Sequence, residues 1–139
     1  MNRLGARSLV VALGVLYATV GVITAEFARQ AASHDAVVAW RWVAWVVSAV
    51  MFGAHIVYEQ LGLRSSTKRT ALHVAYGTAL GACGLALAAN IHGAAVTPGG
   101  PPPLLVLSLV LWPALVGLPS FVVALVAATL LARVWRRQP

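Results

Sequence analysis

Six side chains recur on one face of an otherwise apolar stretch. Arg41, Trp45, Ser48, Phe52, His55 and Glu59 are separated by 4, 3, 4, 3 and 4 residues. On a helix, at about 100° per residue, this places all six within an arc of about 80°. Nearly every polar group of the segment therefore faces one way. Turning Arg and Glu towards hydrocarbon is costly, so the stripe is expected to face other helices, a water-lined cleft or a partner protein.

His55 and Glu59 form an H-x-x-x-E pair at one end of the stripe, and His73 follows beyond a short basic turn. Two imidazoles on adjacent antiparallel helices have the donor set for axial ligation of a b-type haem or another metal-centred pigment, through His55 and His73. With Glu59 added, the three could hold a divalent metal. The alternative is a set of ordinary interhelical hydrogen bonds. At the opposite end of the same hairpin, Glu26 and Arg41 lie at similar depth. They are expected either to pair as an ion-pair clasp or to leave Glu26 as a carboxylate for proton or cation transport. Small multidrug resistance transporters are similar in four-helix size and also carry a membrane carboxylate on helix 1. Their glutamate lies near mid-membrane, whereas Glu26 lies close to the exit of its helix.

Two stripes of small residues mark helix-packing faces: Gly14, Ala18, Gly21 and Ala25 on the first apolar segment, and Gly77, Gly81, Gly84 and Ala88 on the third. Small side chains let backbones approach closely, and in lipid that packing replaces the hydrophobic force available in water. Tyr76, Cys83 and Asn90 repeat every seven residues on a neighbouring face and are candidates for hydrogen bonds across the bundle. Asn90 with His92 could instead cap the far end of that helix.

The elements that position these groups follow from composition. The chain has 139 residues, 60% hydrophobic and only 9% charged, with mean hydropathy +0.86. A soluble domain carries about a quarter charged residues. The expected fold is all-α: one transmembrane domain over residues 1–139, built as a four-helix bundle of two antiparallel hairpins. Its spans are expected at about 8–28, 36–58, 71–96 and 104–135. The first reads as a retained helix rather than a signal peptide, because it is long for such a segment and no small-residue cleavage pattern follows. Trp40, Arg41, Trp42 and Trp45 suit a headgroup boundary. Residues 61–70 (LGLRSSTKRT) read as a polar, basic turn and 97–103 (TPGGPPP) as a non-helical loop. Pro113 and Pro119 should kink or tilt the long fourth helix.

The net charge of +7 sits at the ends of apolar segments and forms no continuous stripe, which points to topology signals and lipid contacts rather than nucleic acid. The single cysteine excludes an intrachain disulfide and a CxxC pair. Lys68, the only lysine, lies in the basic turn, so a retinal Schiff base has no candidate. No P-loop, nucleophile elbow or H-E-x-x-H is present. These features fit a non-enzymatic subunit or interaction protein of a membrane assembly, with other membrane subunits or further copies of itself as partners. The alternatives are an electron-transfer subunit using His55 and His73, and a small homo-oligomeric transporter using Glu26.

One side of the membrane receives Arg3, Arg7, Arg64, Lys68, Arg69, Arg133, Arg136 and Arg137, and the other only Arg29 and Arg41. The positive-inside rule assigns the first side to the cytoplasm. A cysteine placed at Ser66, in a chain whose Cys83 has been replaced, should be protected from an impermeant thiol reagent applied to intact cells. Labelling from outside would reverse the orientation.

Overall fold

The computed structural model describes residues 3–98 and 103–135, with side chains from residue 8 onward. It consists of four long helices: α1 (Arg3–Gln30), α2 (His34–Val57), α3 (Thr67–Val96) and α4 (Pro103–Trp135). A π-helical turn, Tyr58–Gly62, continues α2. Each of the four is long and apolar enough to cross a membrane. The molecule is an all-α four-helix bundle, and there is no strand among the described residues.

The helix starts are set by serine caps. Ser33, in an extended conformation, accepts from the Ala36 amide at 3.2 Å and opens α2, with Asp35 in the first turn to complement the helix dipole. Ser66 accepts from the Arg69 amide and opens α3. The basic turn is therefore much shorter than residues 61–70. Its first part is the π turn, its last part belongs to α3, and only 63–66 lie between helices. The π turn ends with Arg64 in the left-handed region at φ 48°, and the Ser65 amide reaches back to the Glu59 carbonyl at 3.0 Å. This is a widened form of the loop that commonly ends helices, with Arg where Gly is usual. The expected non-helical segment 97–103 is shorter at its end, since Pro103 is the first residue of α4, where a helix tolerates proline; residues 99–102 lie outside the described residues, as do Arg136 and Arg137.

α4 continues as one helix through Pro113 and Pro119. Each proline removes the donor that the carbonyl four residues earlier, Leu109 or Leu115, would have used, a loss that membrane helices tolerate through neighbouring helices and local adjustment.

α3 is the central helix, packed along α1 on one side and α4 on the other, while α2 leans mainly on α1. The small-residue stripes meet at the α1–α3 contact. A Cβ on Gly14 would stand 2.7 Å from Leu80 Cβ, one on Gly81 2.5 Å from Tyr17 Cβ, and one on Gly84 2.7 Å from Ala18 Cβ. Between α3 and α4, Gly117 approaches Ala79 in the same way at 3.1 Å. Asn90 joins these two helices, donating to the carbonyls of Ala86 and Leu105, both at 2.8 Å. The apolar core lies towards the other end of the bundle, where Ile56, Ala71, Val74, Ala124 and Ala128 are buried together.

Replacing Gly81 with Ala should lower stability by about 1–3 kcal/mol, because the added methyl meets another Cβ rather than a flexible side-chain end. Gly53 has nothing within 4 Å of an added Cβ. Gly53→Ala should be neutral, or stabilising by up to about 1 kcal/mol. Thermal melting of both variants in detergent checks the contrast.

Candidate functional site

The stripe of α2 divides between two environments. Its upper part, Arg41, Trp45, Ser48 and Phe52, lines a side cleft of about 810 Å³ between α2 and the other three helices. Its lower part, His55 and Glu59, is buried against α3, with 2% and 0% exposure.

The cleft exists because α2 leans mainly on α1 and has little contact with α3 or α4. Near the start of α2 the indole of Trp40 stacks on Phe27 of α1, with ring centroids 4.6 Å apart and planes 13° apart. At the other end the π turn is fastened to α3. The most apolar window of α2 contributes nothing to the buried interior. The floor is formed by α1 and α3 at the level of Gly21, Gly81 and Ala82, with Val116 and Ser120 of α4 opposite. Thr24 and Thr78 also line it, but both hydroxyls donate to carbonyls of their own helices, Thr24 to Val20 and Thr78 to Val74. Among the described residues, the side chains of Arg41, Ser48 and Ser120 make no hydrogen bond or ion pair. With the Tyr17 hydroxyl, which is buried without a hydrogen-bond partner among the described residues, they are the unengaged polar side chains that α1, α2 and α4 turn to the cleft.

The fastening to α3 is a buried latch. His73 Nδ1 donates to Glu59 Oε1 at 2.8 Å, and Gln60 Nε2 donates to Thr70 Oγ1 at 3.0 Å. Glu59, in the π turn, keeps the face of the α2 stripe and is fully buried there. His55 packs one helical turn away, against Gly77, whose Cβ would stand 3.4 Å from the imidazole. Glu59 Oε2 and both ring nitrogens of His55 are buried without a hydrogen-bond partner among the described residues. An unpaired buried polar atom costs about 1–3 kcal/mol, so this cluster is an expensive feature to keep.

His55, Glu59 and His73 are thus brought together as their spacing suggested. Among the described residues, however, no group of three or more His, Cys, Asp or Glu is arranged to hold a metal ion. A haem between His55 and His73 does not fit either. His73 is committed to Glu59, His55 lies against the α3 backbone at Gly77, and neither side cleft is lined by either imidazole. The contact at this level is closed by Ile56 and Val74.

The expected Glu26–Arg41 clasp is not formed. Glu26 pairs within its own helix, with Arg29 one turn on, and also accepts from Gln30 Nε2. Arg29 Nη1 then reaches His92 of α3, 2.9 Å from Nε2, so these charges tie α1 to α3 rather than to α2. The i,i+3 relation of Glu26 and Arg29 was the sequence signal for this, since such a pair meets without any tertiary requirement. Glu26 is partly exposed and lines a second cleft of about 540 Å³ between α1, α3 and α4. Tyr17, Thr24, Thr78 and Ser120 join the main cleft without any spacing signal, because they come from three helices other than α2.

The fold and its sites define a class, the small all-α bundle with four helices of membrane-crossing length. Beyond that class, comparison with protein-family models, with curated proteins and with solved structures found no match.

The latch predicts a coupled pair. In a double-mutant cycle of Glu59→Gln and His73→Gln, the double variant should lose less stability than the two single losses added together, with coupling on the order of 1–3 kcal/mol. The same cycle on Glu26→Gln and Arg41→Gln should be additive to within about 0.5 kcal/mol, since these groups share no contact. Melting in mild detergent measures both cycles.

Proposed function

We propose that this chain is a non-enzymatic binding and interaction subunit of a larger membrane assembly, with the cleft beside α2 as its working surface. The observation that carries the reading is the placement of the α2 stripe. Arg41, Trp45 and Ser48 line an open, mostly apolar groove instead of packing into the core, and an unpaired cation beside hydrocarbon is stable only when something compensates it. The remaining polar clusters, Glu59 with His73 and Glu26 with Arg29 and His92, are spent on holding helices together. Glu26 in particular is engaged at the rim of the bundle, which gives the transport reading little support.

The distribution of Lys and Arg supports insertion in a plasma membrane with both termini and the 63–66 turn in the cytoplasm. In this orientation the mouth of the cleft near Arg41 lies at the outer surface. The bias towards Ala, Val, Gly, Leu and Arg supports a bacterial source, and hence the inner membrane.

Ser48→Leu fills the cleft with apolar bulk, whereas Val47→Leu alters a neighbouring position that does not line it. Ser48→Leu should reduce recovery of the assembly from mild detergent severalfold while leaving the melting of the isolated chain within about 0.5 kcal/mol of wild type. Val47→Leu should change neither. Equal behaviour of the two variants would remove the cleft from the function.

A further inference from the structure

We infer that the cleft seats one acyl chain of an anionic membrane lipid, with the lipid phosphate held by Arg41. This rests on the cleft being the working surface and names what occupies it.

Charge comes first. The chain has three acidic side chains, Glu26, Asp35 and Glu59. Glu26 is taken by Arg29 and Gln30, and Glu59 by His73 at the opposite end of α2. Asp35 sits in the first turn of α2 and makes no ion pair with Arg41. The guanidinium at the mouth of the cleft therefore has no counter-charge from its own protein, and its planar fork suits the bidentate recognition of a phosphate. Trp40 and Trp45 beside it are the residues that sit at headgroup level, so the unpaired cation lies where lipid phosphates lie.

Shape and polarity come next. From Arg41 to Phe52 the cleft runs eleven residues along α2, about 16 Å. Below Arg41 its free polar groups are the Ser48, Ser120 and Tyr17 hydroxyls; the Thr24 and Thr78 hydroxyls are spent on their own helices, Arg29 is engaged by Glu26 and His92, and most of the remaining lining is Ala, Gly, Val, Leu and aromatic carbon. A ligand charged at one end and apolar along its body matches that pattern. A partner's transmembrane helix seldom carries an anionic group to set against Arg41, whereas an anionic lipid always does. An acyl chain is thinner than a helix, and it enters from the bilayer without crossing water.

The test uses the full chain in nanodiscs of unlabelled phosphatidylcholine, with Trp45 as the only tryptophan and the other four replaced by Phe, after this parent is shown to melt as wild type. A minor fraction of either phosphatidylglycerol or phosphatidylcholine, brominated on its acyl chains, is added, and quenching of Trp45 reports which lipid collects in the cleft. A parent keeping only Trp42, which is exposed outside both clefts, reports the bulk bilayer. The expected result is about fivefold enrichment of the anionic lipid at Trp45, the factor that one basic side chain supports at an anionic headgroup. No enrichment is expected at Trp42. In Arg41→Gln the preference should fall to about one, and Arg41→Lys should keep part of it.

Equal quenching of Trp45 by the two lipids overturns the proposal, as does a preference that survives Arg41→Gln. A brominated fatty acid that collects at Trp45 while phosphatidylglycerol does not would replace the lipid with a free carboxylate. Protection of Trp45 from every brominated lipid would mean that protein covers the cleft. That result would sink the lipid and leave the interaction reading standing, whereas the Ser48→Leu comparison tests the interaction reading alone.

Discussion

Where Gly81 passes Tyr17, the backbones of α1 and α3 come so close that a single added methyl would overlap the facing Cβ. The rest of the bundle is arranged around that approach. It is repeated at Gly14 and Gly84, so α1 and α3 form one slab, with backbone rather than side chains at its centre. In lipid there is no hydrophobic gain in joining two apolar helices, and close contact of this kind supplies the attraction instead. Gly21 follows the same rule, since a Cβ there would meet the Leu85 side chain at 2.7 Å, and the Gly21 and Gly81 level of this slab borders the cleft.

α4 and α2 attach to this slab by different means. α4 lies along α3, held by Gly117 against Ala79, by Asn90 and by the shared apolar cluster around Val74 and Ala124. α2 has little contact with α3 or α4; it lies mainly along α1, where Trp40 stacks on Phe27, and is joined to α3 by the polar latch and to the core by Ile56. The latch explains why costly buried groups occur in a bundle otherwise poor in charge. A helix with little contact along α3 is held there at a point, and a hydrogen bond to a carboxylate in a low-dielectric interior is a strong point contact.

Much of this was readable in the residues themselves. Four apolar segments, the two small-residue stripes and the one-sided pattern of α2 follow from helical periodicity, which depends on neighbours in sequence. The stripe was legible as a face. That it splits between a cleft and a buried latch was not, because the split depends on how far α2 leans from α3. The π turn also left no mark: YEQLG reads as ordinary helix or turn, and only the tertiary pull of His73 and Thr70 distinguishes it. Glu26 shows the reverse. Depth alone suggested a partner across the hairpin, while Arg29, three residues along the same helix, met it at lower entropic cost.

The uneven attachment of α2 makes it a lever. From Glu59 at the latch to Trp40 at the ring stack is nineteen residues, an arm of about 28 Å. Each degree of tilt about the latch moves the far end by about 0.5 Å, given that rise per residue. The Phe27–Trp40 stack is then a brake at the tip of a long arm, where a modest contact has the greatest turning moment. The contacts of α2 are thus uneven from end to end, with the latch and the core cluster around Ile56 on the side of the 63–66 turn, and a ring stack beside an open cleft on the side of Arg41.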